Sequence, residues 1–483
     1  MKGHSEGHPL GMLFIAQAPK PIQDFSLPDQ AKRSPVKDSG SERNQPNVGP
    51  LVQETSTDRV ARKRPAPQPS RSYCSLKGLS AEGIIIFSLK EEGEIMESRF
   101  SRHIDRDEIV NIVCELCRHD TTNPPGNEHL CKEIVSRCMK SLGMEISYHE
   151  KEPGRTNIVG RIGNGRKSIG FVSHMDVVPP GEIAQWNTPP FEPTIRDGRI
   201  YGRGTLDDKG SFACAYSACK AFVAEHPDFD GTIYLIAAAD EEMGSDLGII
   251  YLVEECGLRF DVAIIPDGGR MDLSIYGEKG ILWVEISSAG IQAHGSTPEI
   301  GRNAILPLAE LLAEMKNLDL GARFDPAFDG WTMNIGTIQG GSSTNTVPAM
   351  ARATIDFRLP GGIGKQDVLG KIDEKVAAVR QRSPDADITV KILHETEPHL
   401  SDKNSVIIRS FDQAARRLRL PMKYETFGGN TVAKNLFFAG ITSVVHYPGD
   451  DKLAHVPNEF VIIDELVLGS VLYAETLEAY FNG

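Results

Sequence analysis

The sequence predicts an α/β protein: a main domain on a mostly parallel sheet, interrupted by an inserted α+β domain of ferredoxin-like order. Two observations carry this. Short apolar runs, SIGFV, TIYLIAAA and VAIIP, are separated by helical segments between Ser168 and Pro266. Runs of this length read as strands buried on both faces, as in a parallel sheet covered by helices. From Gly280 the pattern becomes strand, helix, strand, strand, helix, strand, and after His399 the first pattern resumes.

The acidic residues follow the same plan. His174 and Asp176 come just after SIGFV, Asp207 and Asp208 after a glycine-rich turn, Asp240, Glu241 and Glu242 after TIYLIAAA, and Asp267 after VAIIP. Open α/β sheets bind ligands outside the carboxyl ends of their strands, so these groups are expected to meet in one site. A single strand-end Asp is more often a turn or helix cap. Repeated at several strand ends, with a histidine among them, the pattern is a ligand set for divalent metal.

Taken in order, residues 1 to 95 differ from the rest. QAPKPIQDFSLPDQAKRSPVKDSGSERNQPNVGP and RKRPAPQPSRS are rich in Pro, Ser, Gln and charge, a composition that buries too little apolar surface to order itself. GIIIF at Gly83 to Phe87 reads as an apolar patch rather than a domain, and the basic run Arg62 to Pro65 as a solvated charge run. LGMLFIAQA ends in Ala-x-Ala, but it is short and Glu6 precedes it. A cytoplasmic chain is therefore expected rather than a secreted one. Codons for Lys90-Glu91-Glu92-Gly93 are purine-rich and can spell a ribosome-binding site just before Met96. Met96 is thus an alternative start.

Folded pattern begins near Asp105. DEIVNIVCELCRH and HLCKEIVSRCMKSLG are amphipathic helices flanking the turn TTNPPGNE, and the second stops at Gly143. EISYHE, TNIVGRIG and SIGFVSH are strands, with Gly163-Asn164-Gly165 expected as a hairpin turn between two of them. KGSFACAYSACKAFVAEH is a helix, and so is SDLGIIYLVEECG, with Ser245 placed as its cap. The inserted domain then comprises ILWVEISSAG, NAILPLAELLAEMKNL, WTMNIGTIQGG, ARATIDFRLP, KQDVLGKIDEKVAAVRQR and ADITVKILHE. NSVIIRSFDQAARRLRL, TSVVHYPG and DELVLGSVLYAETLEAYF return to the main domain. The expected division is a disordered tail over 1–95, the main domain over 96–280 and 397–483, and the insertion over 281–396.

With 483 residues, 40% hydrophobic and 24% charged, the chain suits a soluble protein of two domains plus extras. A net charge of −14 argues against general nucleic-acid binding, and no apolar run approaches the ~18 residues of a membrane helix. Eight cysteines in so long a chain suggest no disulfide framework. Cys114 and Cys117 form a lone CxxC on a helical pattern, read as buried free thiols.

The motifs SHMDVVP, GRGTLDDKG, DEEMGS, PDGG, GIQAHGSTPEIGRNAI, NTVP, DFRLP, GGN and AHVPNEF occur in that order. In them the chain, from about Asp105 onward, resembles the zinc-dependent peptidase and deacylase family of aminoacylase, acetylornithine deacetylase, succinyl-diaminopimelate desuccinylase and carboxypeptidase G. The resemblance implies two metal ions, zinc first, with cobalt or manganese as alternatives. Asp207 would bridge them, His174 and Asp267 completing one site and Glu242 and His455 the other. Asp176 would orient His174 from behind, and Glu241 would be the general base. Asp207 rather than Asp208 falls on the ligand position, leaving Asp208 as a solvent-facing helix start. His294 would reach a neighbouring subunit's active site and stabilise the oxyanion, implying a homodimer formed through the inserted lid domain. Asn345 and Arg358 would bind the substrate's carboxylate, a geometry suited to an Arg fork. Gly428 and Gly429 would let backbone approach the substrate. Asn430 departs from the Thr commonly found after that pair. The implied activity is hydrolysis of the amide of an N-acyl amino acid or short peptide with a free carboxylate, deacylase slightly ahead of dipeptidase or carboxypeptidase. The rival class is a non-catalytic small-molecule binder on the same fold. On the residues alone, a mixed His and carboxylate pair of sites, with ions roughly 3.5–4 Å apart, suits carbonyl polarisation. Glu241, next to a ligand, is placed to move a proton.

Overall fold

The computed structural model describes residues 98–483, together with the backbone of three short strands before them. Those strands, Cys74–Leu79, Ile85–Leu89 and Ile95–Met96, pair as an antiparallel meander. Ile85 to Phe87 of the GIIIF run lie in the middle strand. The rest of the expected tail, including Arg62 to Pro65, lies outside the described residues.

The main sheet has its parallel part at the centre. Thr232–Ala238, Ser168–His174, Val262–Ile265 and Thr442–His446 lie side by side and parallel. Their residues are buried almost throughout, as continuous apolar runs demand when helices cover both faces. The outer pairs are antiparallel: Glu145–Glu150 with Thr156–Gly163, and that strand with Thr232–Ala238, on one side. On the other, Leu273–Glu278 pairs with Thr442–His446 and with His399–Leu400, and runs parallel to Lys423–Phe427. The sheet is thus mixed, and its central parallel strands carry the site. Register aligns the strand ends: His174 pairs with Ala238, and Phe171 with Ile264. The residues after each strand therefore emerge along one edge.

Two local expectations are corrected. Thr156–Gly163 and Ser168–His174 form no hairpin, because Thr232–Ala238 lies between them and pairs with both. Gly163 is needed for a different reason: its φ is +84°, and a Cβ there would sit 2.2 Å from the Gly231 carbonyl oxygen. Ser245 does not cap a helix with its side chain; the helix is Ile249–Glu254, its N-cap is Gly248, and no side chain caps it.

Helix Lys209–Glu225 is buried along most of its length and packs beside the long C-terminal helix Ile463–Asn482 in the main core. Asp105 caps helix Arg106–Cys117 by accepting the N–H groups of Asp107 and Glu108. The seven cysteines among the described residues are free, Cys114 and Cys117 buried. No helix of the described residues is long and apolar enough to cross a membrane.

Between Glu278 and His399 the chain builds a second sheet with its own core. Its strands are antiparallel in the order Thr332–Gly340, Met350–Leu359, Gly280–Ala289, Asp387–Thr396. That is the ferredoxin-like order, completed by helices Ile305–Met315 and Lys365–Arg382. Alternate residues of Gly280–Ala289 and Met350–Leu359 are buried, as a sheet covered on one face requires.

Candidate metal centre

The aligned strand ends bring the predicted ligands together. Imidazole and carboxylate atoms form two groups of three, His174 with Asp207 and Asp267, and Asp207 with Glu242 and His455, each group spanning no more than 4.8 Å. Asp207 belongs to both and offers a different oxygen to each. Its Oδ1 lies 3.0 Å from His174 Nε2, and its Oδ2 lies 3.0 Å from His455 Nε2. Asp267 Oδ2 is 3.9 Å from His174 Nε2, and Glu242 Oε2 is 3.2 Å from His455 Nε2.

The electrostatics describe a centre that wants positive charge. Burial and the neighbouring carboxylates push Asp267 and Glu241 well above the usual carboxylate range. Burial acts against ionised Asp207 too, yet hydrogen bonds from His174 and His455 hold it below that range. Hydrogen bonds to Asp207 and Glu242 raise His455 to about 10. Crowded carboxylates of this kind pair with imidazolium protons or with metal ions. The donor set, two imidazoles with carboxylates and one carboxylate shared through both oxygens, fits two divalent cations.

Behind these candidate ligands stands a layer of buried groups. His174 Nδ1 lies 3.0 Å from the Asp176 carbonyl oxygen and 3.4 Å from its carboxylate. Asp176 accepts the N–H groups of Glu241 and Glu242, both at 3.1 Å, so one side chain orients His174 and the Glu241–Glu242 turn together. Asn123 donates to Asp176 at 2.9 Å and to Asp240 at 3.1 Å, and Arg155 joins Asp240 to Glu128. Glu459, paired with Arg203, accepts the N–H groups of Leu206 and Asp207 and so fixes the turn that carries the shared ligand. Asn123, Glu128, Arg155 and Arg203 went unread in the sequence because their partners are distant along the chain. The visible signals were Asp240 after its apolar run and Glu459 within AHVPNEF.

Asp208 is the clear departure. It is fully buried, not a solvent-facing helix start, and its Oδ2 accepts the N–H of His174 at 3.1 Å. It thereby ties the strand end bearing His174 to the turn bearing Asp207.

Comparison with known proteins agrees with this geometry. A model of peptidase family M20/M25/M40 matches residues 170–479. The chain belongs to this family. It is therefore a metal-dependent hydrolase of amide or peptide bonds. An uncharacterised metallohydrolase of Methanocaldococcus jannaschii is 32% identical over 409 residues, covering 77% of this chain and 99% of that protein. A succinyl-diaminopimelate desuccinylase of Azoarcus is 29% identical over 384 residues, covering 76% and 96%. Among solved structures, a tripeptidase of Staphylococcus aureus superposes with a TM-score of 0.65 at 23% identity, covering 79% of this chain and all of that one.

The remaining predicted residues of this M20 chain lie on or beside the inserted domain. Arg358, on strand Met350–Leu359, bonds Asp356 at 3.1 Å and extends Nη1 to within 3.4 Å of the Gly428 carbonyl oxygen. A Cβ on Gly428 would meet nothing within 4 Å, whereas a Cβ on Gly429 would meet the Phe427 ring. His294 and Asn345 share a separate corner, where Ala293–His294 pairs with Thr346–Val347 and the Gly295 N–H bonds the Asn345 carbonyl at 2.7 Å. His294 is exposed, and its Nδ1 accepts from the Ser296 N–H at 3.1 Å. None of its hydrogen bonds reaches the carboxylate cluster.

Proposed function

We propose that this chain is a cytoplasmic two-metal amidohydrolase that removes the acyl group from an N-acyl amino acid bearing a free carboxylate, with short peptides as the second substrate class. The observation that carries the reading is Asp207 facing a separate ligand group with each oxygen, with Glu241 directly before the ligand Glu242. Zinc is the preferred metal, with cobalt or manganese as alternatives. Two such cations supply Lewis-acid polarisation of the scissile carbonyl and make a nucleophile available at neutral pH. The rest falls to the chain. Glu241 takes the proton of the attacking water and returns it to the departing amine. Asp176, through the N–H groups of Glu241 and Glu242, keeps base and ligand in register. Arg358 and the Gly428–Gly429 loop hold the substrate carboxylate, with Asn345 as a further contact. His294 steadies the oxyanion from the second subunit of a homodimer. Support for that arrangement is its exposure, together with an edge strand, Thr332–Gly340, that leaves backbone groups open to pairing. The desuccinylase relative favours deacylation over peptide cleavage.

The test is a panel of N-acyl amino acids and dipeptides, offered with added zinc or cobalt and again with a chelator. Metal-dependent release of amine from the acyl amino acids is expected. Release from dipeptides alone would replace deacylase by dipeptidase. Binding of the panel without turnover would favour a small-molecule binder and overturn the catalytic reading.

A further inference from the structure

The chain crosses between its two sheets twice, and one buried side chain touches both crossings. The outward crossing is Lys279 alone, between strands Leu273–Glu278 and Gly280–Ala289. The return runs from Thr396, at the end of Asp387–Thr396, to His399. The two pass so closely that a Cβ on Gly280 would meet the Thr396 carbonyl oxygen at 2.7 Å. A third segment, Phe427 to Lys434, grips them. The Phe427 carbonyl accepts the Lys279 N–H at 2.9 Å. The Thr431 hydroxyl donates to Glu278 Oε1 at 2.7 Å. Lys434 Nζ donates to the Lys279 carbonyl at 2.7 Å and to Thr396 Oγ1 at 3.3 Å. Thr396 Oγ1 also accepts the Ile281 N–H at 3.1 Å.

Lys434 is 2% exposed. Lysines are almost never buried so fully unless paired, and a methylene chain would fill the same space without desolvating a charge. What the ammonium adds is reach to an outgoing carbonyl and a returning hydroxyl at once, beside the Glu278 carboxylate. The same segment contains Gly428, whose carbonyl meets Arg358 of the inserted domain. The grip on the crossings and the contact between sheets therefore share one stretch of backbone.

We propose that Lys434 is a positioning residue: it pins both crossings and so sets the angle at which the inserted domain presents Arg358 to the Gly428–Gly429 loop. The importance of Arg358 rests on the substrate reading above, but the pin itself does not.

Hydrogen exchange on the full-length, zinc-supplemented chain tests the pin without any substrate. Lys434→Met keeps the length and removes the donors. It should speed exchange by about tenfold or more in peptides covering residues 278–281 and 395–399, since hydrogen bonds to a charge are lost there. Peptides covering 168–174 and 232–238 should keep wild-type rates. Lys434→Arg, which keeps charge and donors, should recover part of the protection. Unchanged exchange at both crossings, or a rise spread evenly over the central strands, would overturn the proposal. The second outcome is what a purely core-filling side chain would produce. If Lys434→Met fails to fold, Thr396→Val removes one acceptor and leaves the charge. The change also frees the Ile281 N–H directly, so the readout is the return crossing: the peptide covering 395–399 should loosen, and wild-type exchange there would equally overturn the pin. With a substrate from the panel, Lys434→Met should raise KM more than it lowers kcat. If the panel yields no substrate, the exchange result stands alone, so failure of one reading is not failure of the other.

Discussion

Replacing Asp208 by alanine separates a helix start facing solvent from a buried brace behind the metal centre. In the structure the Asp208 carboxylate is fully buried and accepts the His174 N–H at the end of a buried strand. Alanine leaves that N–H without its acceptor, which costs about 1–3 kcal/mol. At roughly 2–4 °C per kcal/mol for a domain of this size, the melting temperature should fall by several degrees. A solvent-facing aspartate that, like this one, makes no side-chain cap bond to its helix would change stability by no more than about 0.5 kcal/mol. Asparagine should behave differently from alanine. Its amide oxygen can still accept from His174, and it removes a charge that burial disfavours, since burial pushes the Asp208 carboxyl well above its ordinary range. A folded pKa above the unfolded one means the ionised group weakens the fold at neutral pH. Asp208→Asn should therefore melt at or above the wild type there. Thermal unfolding followed by circular dichroism, with a chelator present throughout, reads folding apart from metal affinity. An Asp208→Ala melt within about a degree of wild type would refute the brace. An Asn variant as unstable as the Ala variant would show that charge, not the acceptor, does the bracing.

Four further outcomes are expected. Glu241→Ala should keep both metals by elemental analysis and lose about 10²–10⁴ in kcat; loss of metal with activity would make it a ligand instead. Asp207→Ala should lose metal from both sites, and retention of one full equivalent would refute the sharing of its two oxygens. His294→Ala should cut kcat by about 10²–10³ with metal intact, and hybrids with Glu241→Ala should regain part of the activity. Hybrids that form but stay inactive would rule out action across subunits. Glu278 is raised by burial to about 7 from an ordinary value of 4.5, so the folded chain binds more protons in between and this group's contribution falls as pH rises through that window. His399, lowered by burial to about 3, pulls the other way below pH 6.5. The stability difference between Glu278→Gln and wild type reads Glu278 together with the neighbouring Lys434 and His399, which face its carboxylate. It should grow in the variant's favour by up to about 3 kcal/mol from pH 4.5 to 7, and a flat difference in denaturant titrations would refute this.

Part of the centre was legible because His174, Glu242 and Asp267 each follow a local signal, whereas His455 and the choice of Asp207 over Asp208 came only with the family resemblance. A strand that ends in His174, or that runs into Glu241 and Glu242 or Asp267, announces itself by apolar residues followed by a charge, and parallel neighbours must end along one edge. The ferredoxin-like insertion was legible for the same reason, since strand alternation and helical spacing are read within short windows. The failures are also of one kind. Gly163 looked like a hairpin because turn chemistry says which way the chain bends, not which strand arrives to pair; Thr232–Ala238, far along the chain, took the place between. Ser245 looked like a cap, but the helix begins only at Ile249, with Gly248 as its N-cap.

What the sequence alone determined, then, is most of the strands and helices, though not strands Leu273–Glu278 and Lys423–Phe427 or helix Val432–Phe438, together with their alternation and the charges set at their ends, because propensity, period and turn chemistry act over a few residues. Only the tertiary structure decided which strands are neighbours, that Asp208 faces inward to His174, that Asn123 and Arg155 brace Asp176 and Asp240, and that Lys434 touches both crossings. Those are contacts between segments distant along the chain, and burial, which gives them their energy, exists only after the segments have packed.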